Sequence, residues 1–317
     1  MAPSTSHFLS TAFLVLVSLN LCLVHEVMTQ TPNCLPLPNV TDADRLQFAL
    51  NLEFLEAEFF LFGALGTGLD SINPNLAGGG PPPFGAQRAL LDPVVARIME
   101  EFGYQQMVVV DFQIIDKFGG IPRPLLNISR ENFARGFNGI VGFNLIPPFN
   151  PYANTLNYLL AAYSIPYIAL GGYVGRIRNL TTIDNRALAA SLLGVVAGQD
   201  AVIRTLLYTR ANQFVPPYPL TVAEFTNRIS ARRNFFGGCG NKDEGILLPD
   251  TTLGAENRTT SNILSADFYS VAYTRRPVEI LRIVYGGNES VPGGFFPQGA
   301  NGNIAKRYLN GGASSIV

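Results

Sequence analysis

Residues 187–208, ALAASLLGVVAGQDAVIRTLLY, place Leu188, Leu192, Val196, Ile203 and Leu206 at gaps of three, four and seven, the period of one face of an α-helix. Gln199 fills the missing step. A helix here therefore turns one amide down its own apolar stripe. An amide buried without a partner costs about 1–3 kcal/mol. The fold must bring something to Gln199 inside the protein.

The same period recurs upstream. Residues 41–65 read as a helix capped by Asp42 or Asp44, with Leu46, Ala49, Glu53 and Phe60 in phase. Glu53 and Glu56 lie three apart and share the apolar face, while Glu58 points elsewhere. Two carboxyl groups on an inward face are unusual. Residues 66–85, containing GGGPPP, form a long connection. Asp92-Pro93 is a cap followed by proline at the first helical position, and predicts a helix to about Lys117 with Val95, Ile98, Phe102, Val109 and Phe112 inward and Gln106 among them. A short helix is expected at 130–139. Residues 152–174 carry no charge in their body and are interrupted by Pro166, which predicts a kinked, buried central helix rather than a membrane span. The helix containing Gln199 starts near Asp184 and ends before Val215-Pro216-Pro217. Thr221 and Glu224 form a capping box that opens a fifth helix, to about Phe236. Beyond Gly237-Gly238 the chain is rich in Gly, Asn and Pro, with a β-like patch at 280–285, and is expected to wrap the bundle.

These elements define an all-α chain in three parts: a leader at 1–30, a four-helix bundle at 40–215, and a helix with an irregular tail at 216–317. With 317 residues, 47% of them hydrophobic, the chain is long enough for a sizeable core, and a net charge of −1 without a basic stripe argues against a nucleic-acid partner. No repeat, Rossmann or phosphate-loop pattern is present.

The apolar run at 8–24 reads as a secretory signal core, cleaved between Cys22 and Gln30, although no Lys or Arg precedes it; an uncleaved anchor is the alternative. His25 and Glu26 end the run at a length short for a span. The mature chain then has no stable membrane span. Five Asn-X-Ser/Thr sites, Asn39, Asn127, Asn179, Asn257 and Asn288, fit passage through the secretory route. Of three cysteines, Cys22 lies in the leader, which leaves Cys34 and Cys239 to pair in an oxidising compartment. The two histidines, His7 and His25, lie in or near the leader, so the mature chain has no internal imidazole for a metal or a general base, and a Ser-His-Asp hydrolase is set aside. Asp200 and Arg204, four apart, read as a surface ion pair, and Arg232-Arg233 and Arg275-Arg276 as solvated or capping residues.

Residues 48–62 (FALNLEFLEAEFFLF), 154–175 and 187–208, with PPFNPYANTLNYLL, TVAEFTNRISARRN and TRRPVEILRIVYGG, resemble the plant desiccation-related proteins of the ferritin-like superfamily, from about residue 42 to 287. The resemblance implies a ferritin-like bundle, secretion and an association with drought. Ferritin-like di-metal sites draw a Glu from each of two helices and a Glu-x-x-His pair from each of the other two. Either Glu53 or Glu56 matches the first ligand. Where the family reads Gln-Glu-Phe-Gly-His, this chain reads Gln105-Gln106-Met107-Val108-Val109, so Gln106 and Val109 stand at the Glu and His positions. Glu-Ala-Gly-Gln appears as Val196-Ala197-Gly198-Gln199, with Gln199 where ferritins place His. The third helix offers Tyr163 and Tyr167 as its inward polar groups. Neutral amides and valines make a poor cage for iron or manganese. Without metal, Glu53, Glu56, Gln106, Gln199, Tyr163 and Tyr167 either close into one hydrogen-bonded network or are satisfied separately by backbone and water.

Three functions compete. The first is a secreted, non-catalytic stress protein of the wall, matrix or vacuolar system, without cofactor. The second is an iron- or manganese-dependent oxidase or peroxide scavenger, with Glu100 or Glu101 as further ligands. The third is a module that binds a small apolar or phenolic ligand within the bundle.

Overall fold

The computed structural model describes residues 34, 37, 39–108, 116–249 and 259–310. The expected leader with its two histidines lies outside them, as do Val109, Phe112 and Asn257.

The first long helix, Asp42–Leu65 (α1), opens on a capping box in which Thr41 Oγ1 accepts from Asp44 N (3.1 Å) and Asp44 Oδ2 accepts from Thr41 N (3.0 Å). Thr41 is thus the cap, and Asp44 is its reciprocal partner. Gly66, at φ 82°, ends the helix where an L side chain would be strained. The other main helices are Pro93–Val108 (α2), Arg130–Val141 (α3), Thr155–Tyr163 (α4), Pro166–Ile177 (α5), Ile183–Tyr208 (α6), Val222–Gly237 (α7), Pro277–Tyr285 (α8) and Asn303–Leu309 (α9). The break between α4 and α5 is the expected proline interruption. Pro166 occupies the first position of α5, and Ser164 caps α4.

Residue pairs fix the topology. Phe60 meets Phe102 at 5.7 Å between ring centroids and Glu56 meets Gln106, so α1 and α2 run antiparallel. Tyr158 stacks on Phe59 at 4.7 Å and Tyr173 reaches Glu53, so α4 and α5 also run antiparallel to α1. Asn185 donates to Asp42 (2.7 Å), and Gln199 sits at the level of Glu56 through their common partner Gln106, so α6 runs parallel to α1. The order is up-down-down-up with one long crossover between α2 and α4, the bundle topology that the resemblance implies. The uncharged third helix is buried, with Tyr158 through Tyr163 fully covered. By length and composition α6 is apolar enough to cross a membrane, with 33% of that stretch buried. It packs one face, Val196, Gln199, Ile203 and Leu207, inward.

The tail departs from expectation in two ways. Residues 280–285 are not β-like but form α8, begun by Pro277 at the first position and by Glu279 Oε2 accepting from Arg276 N (2.9 Å). A continuous apolar run does not distinguish a buried strand from a buried helix. Every residue of α8 from Val278 to Tyr285 is buried, so no alternation marks its period. Second, Arg204, Arg233 and Arg275 are buried rather than solvated. Arg204 is fully buried and makes no ion pair with Asp200 among the described residues. It donates instead to the carbonyls of Ile263 (2.6 Å), Glu244 (3.1 Å), Gly245 (3.1 Å) and Asn262 (2.5 Å) and to Tyr163 Oη (3.0 Å). Arg233 is buried against Asp243, with Nη2 donating to Oδ1 at 3.0 Å, and donates to the Tyr163 carbonyl (2.7 Å). Arg275 is buried between Asp243 (3.6 Å) and Glu279 (3.8 Å), and Arg276 caps α8. A guanidinium's fixed fork makes it a staple for irregular backbone.

Cys34 and Cys239 are joined, with Cα atoms 6.0 Å apart. The bond clips the N-terminal arm to the end of α7. One core extends from Leu46 on α1 to Tyr308 on α9, so the tail shares the bundle's interior. Replacing Arg204 with Met removes a donor from four tail carbonyls, leaves those of Asn262 and Ile263 without another partner among the described residues, and removes the counter-charge to Asp200. Arg204→Met is expected to lower unfolding stability by about 3–5 kcal/mol, measured by urea titration, with protease cutting between residues 242 and 268 ahead of global unfolding.

Candidate functional site

Four bundle helices converge on a polar cluster. Helical spacing on α1 sends Glu53 and Glu56 inward, and both are fully buried. Glu58 leaves that face, as its spacing requires, and enters a separate buried site. There it pairs with Arg123 and accepts from Leu69 N (3.3 Å), while Arg123 also binds Asp70 (2.8 Å).

From α2, fully buried Gln106 donates through Nε2 to Glu56 Oε2 and to Gln199 Oε1 (2.8 Å). Gln199 Nε2 in turn donates to Gln105 Oε1 (3.0 Å), and Gln105 Nε2 to exposed Glu101 (3.1 Å). A chain of amides thus leads from the surface to Glu56. Val196 is buried one turn before Gln199. Glu100 is half-buried and Glu101 exposed, so neither joins the carboxyl pair as a ligand.

The tyrosine of this network is Tyr173 on α5, whose hydroxyl donates to Glu53 Oε1 at 2.6 Å. Tyr163 and Tyr167, expected here, face the tail instead. Tyr163 Oη bonds Ser230 (2.8 Å) and the Glu244 carbonyl (3.0 Å), and Tyr167 Oη donates to Ser265 (3.1 Å). The break at Pro166 resets the helical phase, so a face counted through residues 152–174 as one helix does not persist. Arg176 lies over the Tyr173 ring, 4.8 Å from its centroid, and Asp200 is buried beside Gln199. Tyr173, Arg176, Gln105 and Asp200 complete the cluster. Only the proline marks where the phase changes.

Burial raises the Glu53 carboxyl to about 7, against the Tyr173 hydrogen bond and the Arg176 charge, which lower it. Glu56 is raised well above the ordinary range by burial and by the charges of Glu53 and Asp200. Asp200 is raised to about 6 by burial, opposed by Arg204 and Arg233. Burial beyond the reach of any direct ion pair thus favours protons over charge.

Among the described residues, the amides of the cluster are placed to donate hydrogen bonds rather than to ligate a metal. Gln106 turns its N–H groups, not its carbonyl, toward Glu56 and Gln199. Valine at 109 and 196 has no ligand atom in any placement. Among the described residues, no group of three or more His, Cys, Asp or Glu is placed to hold a metal ion. Glu53 Oε2, Glu56 Oε1 and Gln106 Oε1 are buried without a hydrogen-bond partner among the described residues. A protonated carboxyl is the state that such a set tolerates best.

The proton count sets a pH dependence. The folded pKa of Glu53 lies above its unfolded value near 4.5, so its stabilising contribution is complete below about 4.5 and lost as pH rises through about 7. Between pH 5 and 8 the unfolding free energy is expected to fall, and Glu53→Gln to flatten that fall by up to about 3 kcal/mol, read from urea titrations across the range.

Comparison with known proteins adds three findings. A family model described as "Ferritin-like domain" matches residues 41–209, from the start of α1 to the end of α6. The chain is 53% identical over 296 residues to the "Ferritin-like catalase Nec2" of Nesocodon mauritianus, covering 90% of this chain and 94% of that protein. It is 46% identical over 278 residues to the "Desiccation-related protein PCC13-62" of Craterostigma plantagineum, covering 87% and 88%. No solved structure matches it with significance.

Proposed function

The chain belongs to the ferritin-like family, and from that premise we propose that it is a secreted, stress-related member that works without a metal centre or a catalytic step. The observation that carries this reading is the Gln106 amide, which donates to Glu56 and to Gln199 across the space between the helices. The bundle's interior is hydrogen-bonded across that space. Its role is physical, as a glycosylated, disulfide-clipped body in the wall, matrix or vacuolar system during water loss. The leader pattern and the glycosylation sites support the secretory route, since Asn39, Asn179 and Asn288 are exposed and Asn127 is half-buried. The relative named for desiccation supports the stress association.

A second reading rests on the relative named a ferritin-like catalase and on the oxygens of Glu53 and Glu56 that have no partner among the described residues. On that reading the pair holds iron or manganese and the protein decomposes peroxide. Protein purified from its secreting tissue without chelator decides between them. The first reading expects less than about 0.1 iron or manganese per chain by elemental analysis, and oxygen release from peroxide no faster than for Glu53→Gln/Glu56→Gln. Stoichiometric metal together with peroxide breakdown abolished in that double variant establishes the second.

A further inference from the structure

Away from the carboxyl cluster, a cleft of about 390 Å³ opens between α3 on one side and α7 and α8 on the other. Its size falls in the range of small-ligand pockets, about 300–1,000 Å³. Phe133 and Ile140 of α3, Ile229 and Phe236 of α7, Ile283 of α8 and Phe295 supply its apolar walls. Among the described residues its charged side chains are Arg135, Arg232 and Arg233, with no Asp or Glu in the lining.

The three arginines differ in what they already hold. Arg233 is committed to Asp243 and to the Tyr163 carbonyl. Arg135 is exposed and makes one long hydrogen bond, 3.4 Å, to Asn132. Arg232 is half-buried, with its guanidinium 4.2 Å from the Phe236 ring centroid and 5.3 Å from that of Phe235, and has no acid partner among the described residues. A guanidinium laid on an aromatic wall with its hydrogen-bonding edge unpaired presents a fork suited to a carboxylate.

The opposite wall is kept bare. Gly136 and Gly139 lie inside α3, where glycine costs roughly as much helix stability as any residue except proline. A Cβ at Gly136 would meet nothing within 4 Å, and one at Gly139 would approach no closer than 3.5 Å to Arg232 Nη2. Packing within the chain therefore requires neither glycine, and their effect is to widen the cleft in front of Arg232.

We infer that this cleft binds a small organic carboxylate with an aromatic body, its acid group on Arg232 and its ring among Phe133, Phe236 and Phe295. The cleft shares no lining residue with the Glu53–Glu56 cluster, so this inference stands or falls separately from the function proposed above.

Calorimetric titration of the intact, disulfide-bonded protein with trans-cinnamate and with its neutral amide tests the inference. Cinnamate is expected to bind saturably and at least about 10-fold more tightly than the amide, the scale of a charge-assisted hydrogen-bonded pair. Arg232→Gln is expected to remove that preference while leaving amide binding within about 2-fold. Gly136→Leu is expected to abolish both while leaving the melting temperature unchanged or raised, because it replaces an exposed helical glycine. No saturable binding by the wild type, equal affinity for acid and amide, or full cinnamate affinity in a folded Arg232→Gln protein overturns it.

Discussion

A guanidinium sealed from water has to place its N–H groups on fixed acceptors, and Arg204 meets that demand with four carbonyls from two separate tail segments and one tyrosine hydroxyl. That requirement shapes the molecule. The carbonyls at 244–245 and 262–263 have no regular structure to pair with, and the bundle supplies their donors from α6. Burial lowers the pKa of Arg204, but Tyr163, Asp200 and Asp243 more than offset it and hold the residue protonated. The bundle and its tail are therefore one object, with the side chain of one helix standing in for the hydrogen bonds a sheet would provide.

The same helix carries the other buried network. Gln199 and Arg204 lie five residues apart on α6, and Asp200 stands between the networks, electrostatically coupled to Glu56 on one side and to Arg204 and Arg233 on the other. The interior handles its acids in two ways. Glu58 and Asp243 are paired with arginines at contact distance, although burial still raises the Glu58 carboxyl above its ordinary range. Glu53 and Glu56 are instead surrounded by amides and a phenol, with Arg176 acting only at longer range, and they are shifted toward the protonated form. Which solution an acid receives depends on whether an arginine's reach falls on it, a property of the packed helices and not of the acid's own neighbours in sequence.

The chain shares its family and most of its length with proteins whose names point to different activities. As a matter of chemistry, an amide put in place of a carboxylate keeps size and shape while exchanging an anionic acceptor for a group that also donates, and a valine side chain carries no polar atom at all. Such exchanges leave the four-helix scaffold intact, because its core rests on aromatic and aliphatic packing from Phe48 to Tyr173.

Much of this was legible in the residues. The helical period located α1, α2, α6 and α7, the caps at Thr221 and Pro93 placed two starts, and the spacing of Glu53, Glu56, Gln106 and Gln199 put them all inward, where the structure joins Gln106 to both Glu56 and Gln199. The two cysteines beyond the leader pair as expected. Tyr173 in place of Tyr163 and Tyr167, the burial of Arg204, Arg233 and Arg275, and the helical form of 277–285 emerged only from the packing. Spacing within a helix is a local property, fixed by 3.6 residues per turn. The partner a polar group meets depends on where a proline resets the phase of one helix and where a distant tail comes to rest on another, and those relations exist only once the chain has packed.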